Sequence, residues 1–117
     1  MITRFKKIWS KAVIDNNIKE ILKLYTYNAT FKGTLMSKSG KGKKDIEKYF
    51  KNFAPLVKDI DFEPNEIIIK HNDIINEIGN YKFYTKKGII EAQYNFLFII
   101  KDKEVKILSH FSSLNLK

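Results

Sequence analysis

Cysteine is absent from the chain, which excludes disulfides, thiolate metal sites and cysteine nucleophiles. Histidine is scarce, since His71 and His110 are the only two, and we expect neither a bound metal nor another cofactor. No apolar run reaches the length of a membrane span, and charged residues interrupt the apolar ones near the N-terminus, unlike in a signal peptide. These features predict a cytoplasmic protein with no membrane partner.

Arginine is nearly absent as well. Of 22 basic residues only Arg4 is an arginine, and the net charge of +9 comes from lysines spread through every segment. A nucleic-acid-binding face needs cations gathered on one surface, and arginine is the side chain that clamps phosphates and reads bases. Isoleucine and asparagine, whose codons are also rich in A and T, are abundant too. We therefore predict a solvated lysine surface and no nucleic-acid partner.

The length of 117 residues suits one domain, and a composition of 44% hydrophobic and 14% aromatic residues can fill one core. No internal repeat or linker interrupts the chain. We predict a single domain over residues 1–117.

Helical spacing dominates the first part of the chain. Apolar residues three and four apart predict a first helix that ends near Asp15, with Lys6 on its outer face. Asn17, followed by Glu20, resembles a capping box and predicts a second helix that ends at about Tyr25.

An extended piece and a loop separate this pair from a third predicted helix. Residues 28–35 are extended, and residues 36–44, rich in glycine and serine, form a loop. Asp45 lies in the first turn of the third helix, where an acid complements the helix dipole, and Pro55 ends that helix.

After Pro55 the apolar pattern changes to a period of two. It predicts strands over residues 60–71, 74–85, 89–101 and 105–116. Pro64 lies inside the first of them, and because proline cannot donate to a ladder, that strand should lie at an edge or contain a bulge. Helices followed by an antiparallel meander predict an α+β domain with three helices on one face of a curved four-stranded sheet.

The other face of the predicted sheet is also partly apolar. Leu97 and Ile99 lie on it, and alternation along the last strand places Ile107 and Phe111 opposite His110. A sheet with two apolar faces tends to pack on a second subunit. We predict a homodimer formed through the outer face.

Short motifs follow one order along nearly the whole chain. They are Trp9 with Ala12, Leu24-Tyr25, Ala29, Phe31, Gly33-Thr34, Ile46, Tyr49-Phe50, Phe53, Gly79-x-Tyr81-x-Phe83, Ala92-x-Tyr94-x-Phe96 and His110-x-Ser112-Ser113. This set resembles the SnoaL-like, nuclear transport factor 2-like superfamily, and within it bacterial proteins similar to the association domain of calcium/calmodulin-dependent protein kinase II. The resemblance implies a cystatin-like, cone-shaped α+β barrel with N-terminal helices on a curved antiparallel sheet, an internal pocket and dimers formed through the outer sheet face.

The chain departs from this family at its C-terminal strand. The bacterial relatives usually end in His-His-Ser-Ser and Met-Pro, whereas Phe111 replaces the second histidine and Asn115-Leu116 stands in place of Met-Pro. The kinase association domain lines its pocket with arginines, and the matching positions here are Tyr81, Phe96 and Ser112. Neither a two-histidine site nor an arginine cluster for a carboxylate is carried over.

Strand alternation places an aromatic row with a few polar side chains on the inner face of the sheet, which suits a small, mostly apolar ligand. The predicted ligand-binding residues are Trp9, Tyr25, Tyr81, Phe83, Tyr94, Phe96, His110 and Ser112. Aromatic rows on strands also form ordinary cores, so packing alone is the alternative.

His110 and Glu77 are the candidate catalytic residues. An imidazole beside Ser112 can act as an acid or base near neutral pH, and Glu77 shares strand parity with Tyr81 and can enter the pocket. The alternatives are a buried histidine satisfied by a tyrosine, and a solvated carboxylate. A nucleophilic serine is not expected, because no Gly-x-Ser-x-Gly elbow is present.

Three functions are consistent with the sequence. The first is a homodimer that binds a small apolar molecule. The second is an isomerase, cyclase or dehydratase in which His110, with Glu77, moves a proton. The third is a dimerisation or assembly module without a ligand, for which a filled core is the expected feature.

Overall fold

Three helices precede the long strands in the computed structural model, which describes residues 1–115. α1 spans Ile2–Ile14, α2 spans Ile18–Lys23 and α3 spans Gly42–Phe53, which a 3₁₀ turn at Ala54–Leu56 follows. The side chain of Asn17 accepts a hydrogen bond from the Glu20 backbone N–H, so the predicted cap of α2 is confirmed. No helix among residues 1–115 is long and apolar enough to cross a membrane.

The strands form one mixed seven-stranded sheet. They are β1 (Tyr25–Lys32), β2 (Gly40–Lys41), β3 (Val57–Phe62), β4 (Ile67–His71), β5 (Ile74–Thr85), β6 (Gly88–Lys101) and β7 (Glu104–Leu114). The order across the sheet is β2-β1-β7-β6-β5-β3, and β4 also pairs with β5. Leu116, the predicted end of the last strand, lies outside the described residues.

A parallel pairing of β1 with β7 corrects the prediction of a purely antiparallel, four-stranded sheet. Phe31 lies opposite His110 in this pair. The predicted second helix was too long, since α2 ends at Lys23 and β1 already begins at Tyr25. In β1 the buried residues are Tyr25, Ala29 and Phe31. The pairing with β7 is irregular between Tyr25 and Thr30, so buried residues do not alternate with a period of two along the whole strand. The sequence pattern therefore does not reveal its full length.

Pro64 divides the predicted strand over residues 60–71 into β3 and β4. Both pieces pair with β5, at successive parts of its length. The predicted edge position is confirmed for β3, which ends the strand order. The break follows from the missing proline N–H and from Asn65, whose φ of 75° turns the chain.

A bulge changes the direction of side chains in β7. The register with β6 shifts between Leu97, which is opposite Ser109, and Phe98, which is opposite Ile107. Because a bulge sets an extra residue into one strand, both Ile107 and His110 point inward, with exposures of 0% and 2%. The prediction that Ile107 lies on the outer face is therefore wrong.

The core lies between the helices and the concave face of the sheet. α1 contributes Phe5, Trp9, Ala12 and Val13, and α3 contributes Ile46, Phe50 and Phe53. Burial of these apolar faces provides the main stabilisation, at about 25 cal/mol for each Å² removed from water. The predicted α+β architecture, with N-terminal helices on a curved sheet, is confirmed.

Candidate functional site

The residues predicted to bind a ligand are all buried together in the centre of the core. None of them is more than 3% exposed; they are Trp9, Tyr25, Tyr81, Phe83, Tyr94, Phe96, His110 and Ser112. The predicted inward direction of these side chains is therefore confirmed. Whether they contact a ligand stays a prediction.

Their rings fill the space between them. The Trp9 indole is parallel to Tyr81 at 6.2 Å between centroids, Tyr81 lies 4.8 Å from Tyr94, and the His110 ring lies 4.2 Å from Phe96. Within a folded core such separations are contact distances for aromatic rings. The arrangement matches the packing alternative of the sequence analysis more closely than it matches a cavity.

Grooves lie on the surface of residues 1–115, away from the centre of this cluster. One of about 610 Å³ runs between α3 and the loop over residues 34–40. One of about 670 Å³ runs between α1 and β3 and includes Lys6 and Phe62; we name it the α1 groove. A smaller groove of about 300 Å³ crosses the outer face of the sheet and is lined in part by Tyr94 and Ser112.

His110 has a tyrosine partner on each ring nitrogen. Its Nδ1 lies 2.9 Å from the Tyr25 hydroxyl, and its Nε2 lies 3.1 Å from the Tyr81 hydroxyl. Trp9 Nε1 donates to Tyr25 at 3.2 Å, and Tyr81 donates to Ser112 at 2.7 Å. These groups form one connected buried network. His110 therefore matches the alternative given above, a buried histidine whose hydrogen bonds are satisfied by tyrosines.

The directions of these hydrogen bonds assign the tautomer of His110. The Tyr81 proton is used in the bond to Ser112, so His110 Nε2 must carry the proton that it shares with Tyr81. Nδ1 is then the acceptor of the Tyr25 hydroxyl proton. This assignment gives each of the bonds from Trp9 to Ser112 one donor and one acceptor.

Ser112 also bonds to the hydroxyl of Thr34, a residue that is not among the predicted site residues. Thr34 is 1% exposed, and its backbone oxygen accepts a bond from the Tyr49 hydroxyl at 2.9 Å. Threonine in a loop carries no sequence signal for such a role. Ser113, in contrast, is exposed and does not share in the network.

Burial fixes the protonation of this network. Loss of solvation lowers the pKa of His110 from its ordinary value to about 3, and it raises the pKa of Tyr25 and of Tyr81 well above the usual phenol range. Near neutral pH the imidazole and both phenols are therefore neutral. A histidine in this state has neither a free nitrogen nor the pKa that acid–base chemistry at neutral pH requires.

Glu77 is buried on β5 at 1% exposure, so the expectation of a solvated carboxylate is wrong. Its Oε2 accepts hydrogen bonds from Lys6 Nζ at 2.7 Å and from the Tyr94 hydroxyl at 2.6 Å. Its Oε1 has no hydrogen-bond partner among residues 1–115. The site thus contains a carboxylate with one oxygen held by two donors and the other unpaired.

Lys6 supplies the cation that pairs with the buried Glu77 carboxylate. Its side chain is only 13% exposed, and its ammonium lies 4.9 Å from the centroid of the Phe62 ring. The helical pattern predicted Lys6 on the outer face of α1 because its side chain is charged. A long lysine stem can follow the protein surface inward to a buried acid, and no feature of the sequence indicates which of many lysines does so.

The outer face of the sheet carries a grid of uncharged residues, which we name the outer patch. Three rows cross β5, β6 and β7, and they consist of Asn76, Leu97 and Ser109; Ile78, Asn95 and Phe111; and Asn80, Gln93 and Ser113. Phe111 ends the middle row on β7 and is 39% exposed. In a chain with 30% charged residues, this grid contains none.

The strand β4 extends the outer patch. Ile67 pairs with Ile78 and Ile69 pairs with Asn76, and directly paired residues of antiparallel strands point to the same face. Both isoleucines are about 60% exposed. The predicted partly apolar outer face is therefore confirmed, and Leu97, Ile78 and Phe111 are the apolar members of its grid.

No protein-family model and no curated protein matches the chain. Solved structures do match it. A protein from Xanthomonas campestris, whose name assigns it to the calcium/calmodulin dependent protein kinase II association domain, has a TM-score of 0.87 at 21% identity, over 99% of this chain and 86% of that one. A nuclear transport factor 2-like protein of unknown function from Pseudomonas putida has a TM-score of 0.80 at 12% identity, over 99% and 85%.

A third neighbour, from Parabacteroides distasonis, carries the name of a ketosteroid isomerase and has a TM-score of 0.77 at 14% identity, over 97% of this chain and 85% of that one. At such identities the likeness concerns the backbone, and one backbone of this kind can carry unrelated functions. The helices on the curved sheet and these neighbours agree with the resemblance of the sequence motifs: the chain has the nuclear transport factor 2-like fold.

Proposed function

We propose that this chain is a homodimeric assembly domain whose copies meet through the outer patch. The observation that supports this proposal is the charge-free grid at the centre of the outer face. Charged residues are depleted at the centres of protein interfaces, and a chain with so many lysines would place some there by default. Lysines border the grid instead: Lys32 lies beside Phe111 in the next strand, and Lys82 lies one row beyond Asn80.

The composition of the outer patch suits contact with an identical patch. A two-fold interface brings the same surface together from both copies, so each group must be able to face its own kind. Asparagine, glutamine and serine side chains both donate and accept hydrogen bonds, and Leu97, Ile78 and Phe111 contribute apolar area. Ile67 and Ile69 enlarge that area at one side.

An internal small-molecule pocket, the first function considered from the sequence, has less support. The aromatic side chains occupy the place where the ligand would lie, and both nitrogens of His110 are used within the protein. Ligand binding at this centre would require the core to open. The assembly proposal requires no such change.

Sedimentation velocity over a range of concentrations tests the proposal. The parent chain should sediment as a dimer or a larger species, and Phe111→Glu should lower its sedimentation coefficient, because a carboxylate of each copy would then be buried in an uncharged contact. Ile8→Glu is the matched control, since Ile8 is an exposed apolar residue of α1, on the opposite side of the sheet. A monomeric parent, or a parent whose state of association Phe111→Glu leaves unchanged, would contradict the proposal.

A second candidate function rests on Glu77. A buried carboxylate with an unpaired Oε1 can take a proton from a compound that reaches it, and Lys6 and Tyr94 would hold its other oxygen during the transfer. Lys6 lines the α1 groove and Glu77 does not, so the compound would have to enter beyond the wall of that groove. We propose this chemistry as proton abstraction next to a carbonyl group. Among the similar structures, the one from Parabacteroides distasonis carries an isomerase name.

Deuterium exchange at the carbons next to the carbonyl of cyclohexanone, followed by NMR in D₂O, tests this candidate. The parent chain should accelerate the exchange, Glu77→Gln should remove the acceleration, and His110→Gln should retain it. Exchange at the rate of buffer alone, or acceleration that Glu77→Gln retains, would contradict it.

A further inference from the structure

We propose that β4 is a second self-association site, at which two copies of the chain pair their β4 strands edge to edge and antiparallel. The strand spans Ile67–His71, and all of its residues are exposed. It pairs with β5 on one side, and within residues 1–115 no strand covers its other side. This site differs from the outer patch because it uses the backbone edge of the sheet and not its face, although Ile67 and Ile69 border both.

An open edge with apolar side chains is unusual. Soluble proteins protect sheet edges with charges, prolines or bulges, since the free backbone groups pair readily with another strand. Here Ile67, Ile68 and Ile69 are consecutive and 60%, 53% and 59% exposed. Pro64 interrupts the edge before β4 begins, but no charge lies within the run of isoleucines.

The sequence of this edge is complementary to itself. In an antiparallel pair of two copies centred on Ile68, Glu66 of each copy lies opposite Lys70 of the other, and Ile67 lies opposite Ile69. Opposite charges at directly opposed positions stabilise a strand pair, whereas like charges there destabilise it. Among residues 1–115 neither Glu66 nor Lys70 has an ion-pair partner within its own copy.

The charge pairs between Glu66 and Lys70 favour this one register of the two β4 strands. A shift by one residue would remove both charge pairs and would turn each side chain toward the other face of its partner strand. Centred on Ile68, the pair repeats each contact twice about a two-fold axis, as a closed interface between identical chains requires. The occupant that fits this edge is therefore a second copy of the chain.

Cysteine crosslinking tests the register directly, because the chain has no native cysteine. On the axis, position 68 of both copies would be directly opposite, at about 5 Å between Cα atoms, which a disulfide can span. Ile68→Cys should therefore form a disulfide dimer under mild oxidation. Ile69→Cys is the matched control, since it is similarly exposed but lies off the axis, more than about 7 Å from its equivalent in this pair. Both cysteine variants are compared with Phe111→Glu present, because Ile69 also borders the outer patch.

The same crosslink separates this site from the outer patch. Ile68 pairs with Glu77 and shares its concave face, so a dimer formed only through the outer patch would not bring the two copies of position 68 together. The Ile68→Cys dimer should also form when Phe111→Glu is present. Equal crosslinking at positions 68 and 69, or none at 68, would overturn the proposal.

Charge reversal gives a second readout at exposed positions, where the fold should tolerate substitution. Glu66→Lys alone would set like charges opposite each other twice, and so would Lys70→Glu, and each should weaken the association by at least about tenfold. The double variant Glu66→Lys/Lys70→Glu restores opposite charges and should restore the association. Sedimentation equilibrium measures the association of the parent and of the three variants. Equal association in all four proteins would overturn the proposal.

Discussion

Tyr94 lies across Gly79, its direct partner on the neighbouring strand, so that the phenol occupies the place of a side chain at position 79. A Cβ at this position would lie 2.6 Å from the Tyr94 hydroxyl oxygen and 2.8 Å from the ring carbon that bears it. Because glycine leaves this space free, the hydroxyl reaches Glu77 Oε2. The Gly79-x-Tyr81 motif thus contains a glycine that is needed for close approach.

Gly79→Ala should displace Tyr94 and break its hydrogen bond to Glu77. We expect the free energy of unfolding to fall by about 2 kcal/mol, as for other overpacked cores. Urea denaturation measures this change. A variant as stable as the parent would show that the sheet moves enough to accept a methyl group and that the close approach has no energetic consequence.

Lys6 and Glu77 form a buried ion pair whose members should depend on each other. Lys6→Met leaves the buried carboxylate without its cation and should lower the free energy of unfolding by about 3 kcal/mol, since removal of one partner leaves an uncompensated charge. Lys6→Met/Glu77→Gln removes both charges and should recover much of that loss. Urea denaturation of the two single variants and the double variant gives the coupling.

Lys11→Met is the control for this pair, because the ion pair between Lys11 and Asp15 is exposed on the same helix. We expect this control to change stability little, as exposed pairs contribute little. Losses that simply add in the double variant would contradict a direct interaction between Lys6 and Glu77.

Much of the fold could be predicted from the sequence, because its helices and long strands follow regular periods. The limits of β5 were predicted without error, since Ile74–Thr85 alternates throughout between buried and less buried residues. The parallel pairing of β1 could not be predicted in the same way. It depends on contacts between residues about 80 positions apart, such as Phe31 with His110, for which one sequence carries no local signal.

The sequence predicted which residues form the candidate site, but not whether they surround a cavity or pack in contact. Alternation identified which side chains face inward, and it could not distinguish rings around a cavity from rings in contact. That difference depends on separations of about an ångström, which packing decides and periodicity does not encode. Ile107 was misplaced for a related reason, because a single extra residue at a bulge reverses the parity of the strand that follows.

The hydrogen bonds around His110 predict that its proton is on Nε2. Two-dimensional NMR of ¹⁵N-labelled protein should identify Nδ1 as the unprotonated ring nitrogen near neutral pH. Tyr81→Phe should leave the Nε2 proton and the Ser112 hydroxyl without their partner, and we expect a loss of about 2 kcal/mol in unfolding free energy. Tyr84→Phe is the control, because Tyr84 faces away from the core. A proton on Nδ1 would contradict the assigned directions.

Burial of His110 also predicts how stability depends on pH. The pKa of His110 is lowered to about 3 in the folded chain, whereas in the unfolded chain it should be about 6.5. Above pH 6.5 neither state binds a proton at this site, so its contribution to stability is complete. Between about 6.5 and 3 only the unfolded state is protonated, and the free energy of unfolding should fall by about 1.4 kcal/mol for each pH unit.

Urea denaturation between about pH 5 and 7.5 isolates this effect, because most carboxylates titrate below that range. The parent chain should lose stability as the pH falls from about 6.5 to 5, and His110→Gln should lose less over the same interval. Should that variant fail to fold, NMR of the parent gives the answer, since the His110 ring signals should not titrate in this range. A His110 titration with a midpoint near its ordinary value would show that the imidazole accepts a proton without unfolding, and it would then be available for the acid–base role that its burial argues against.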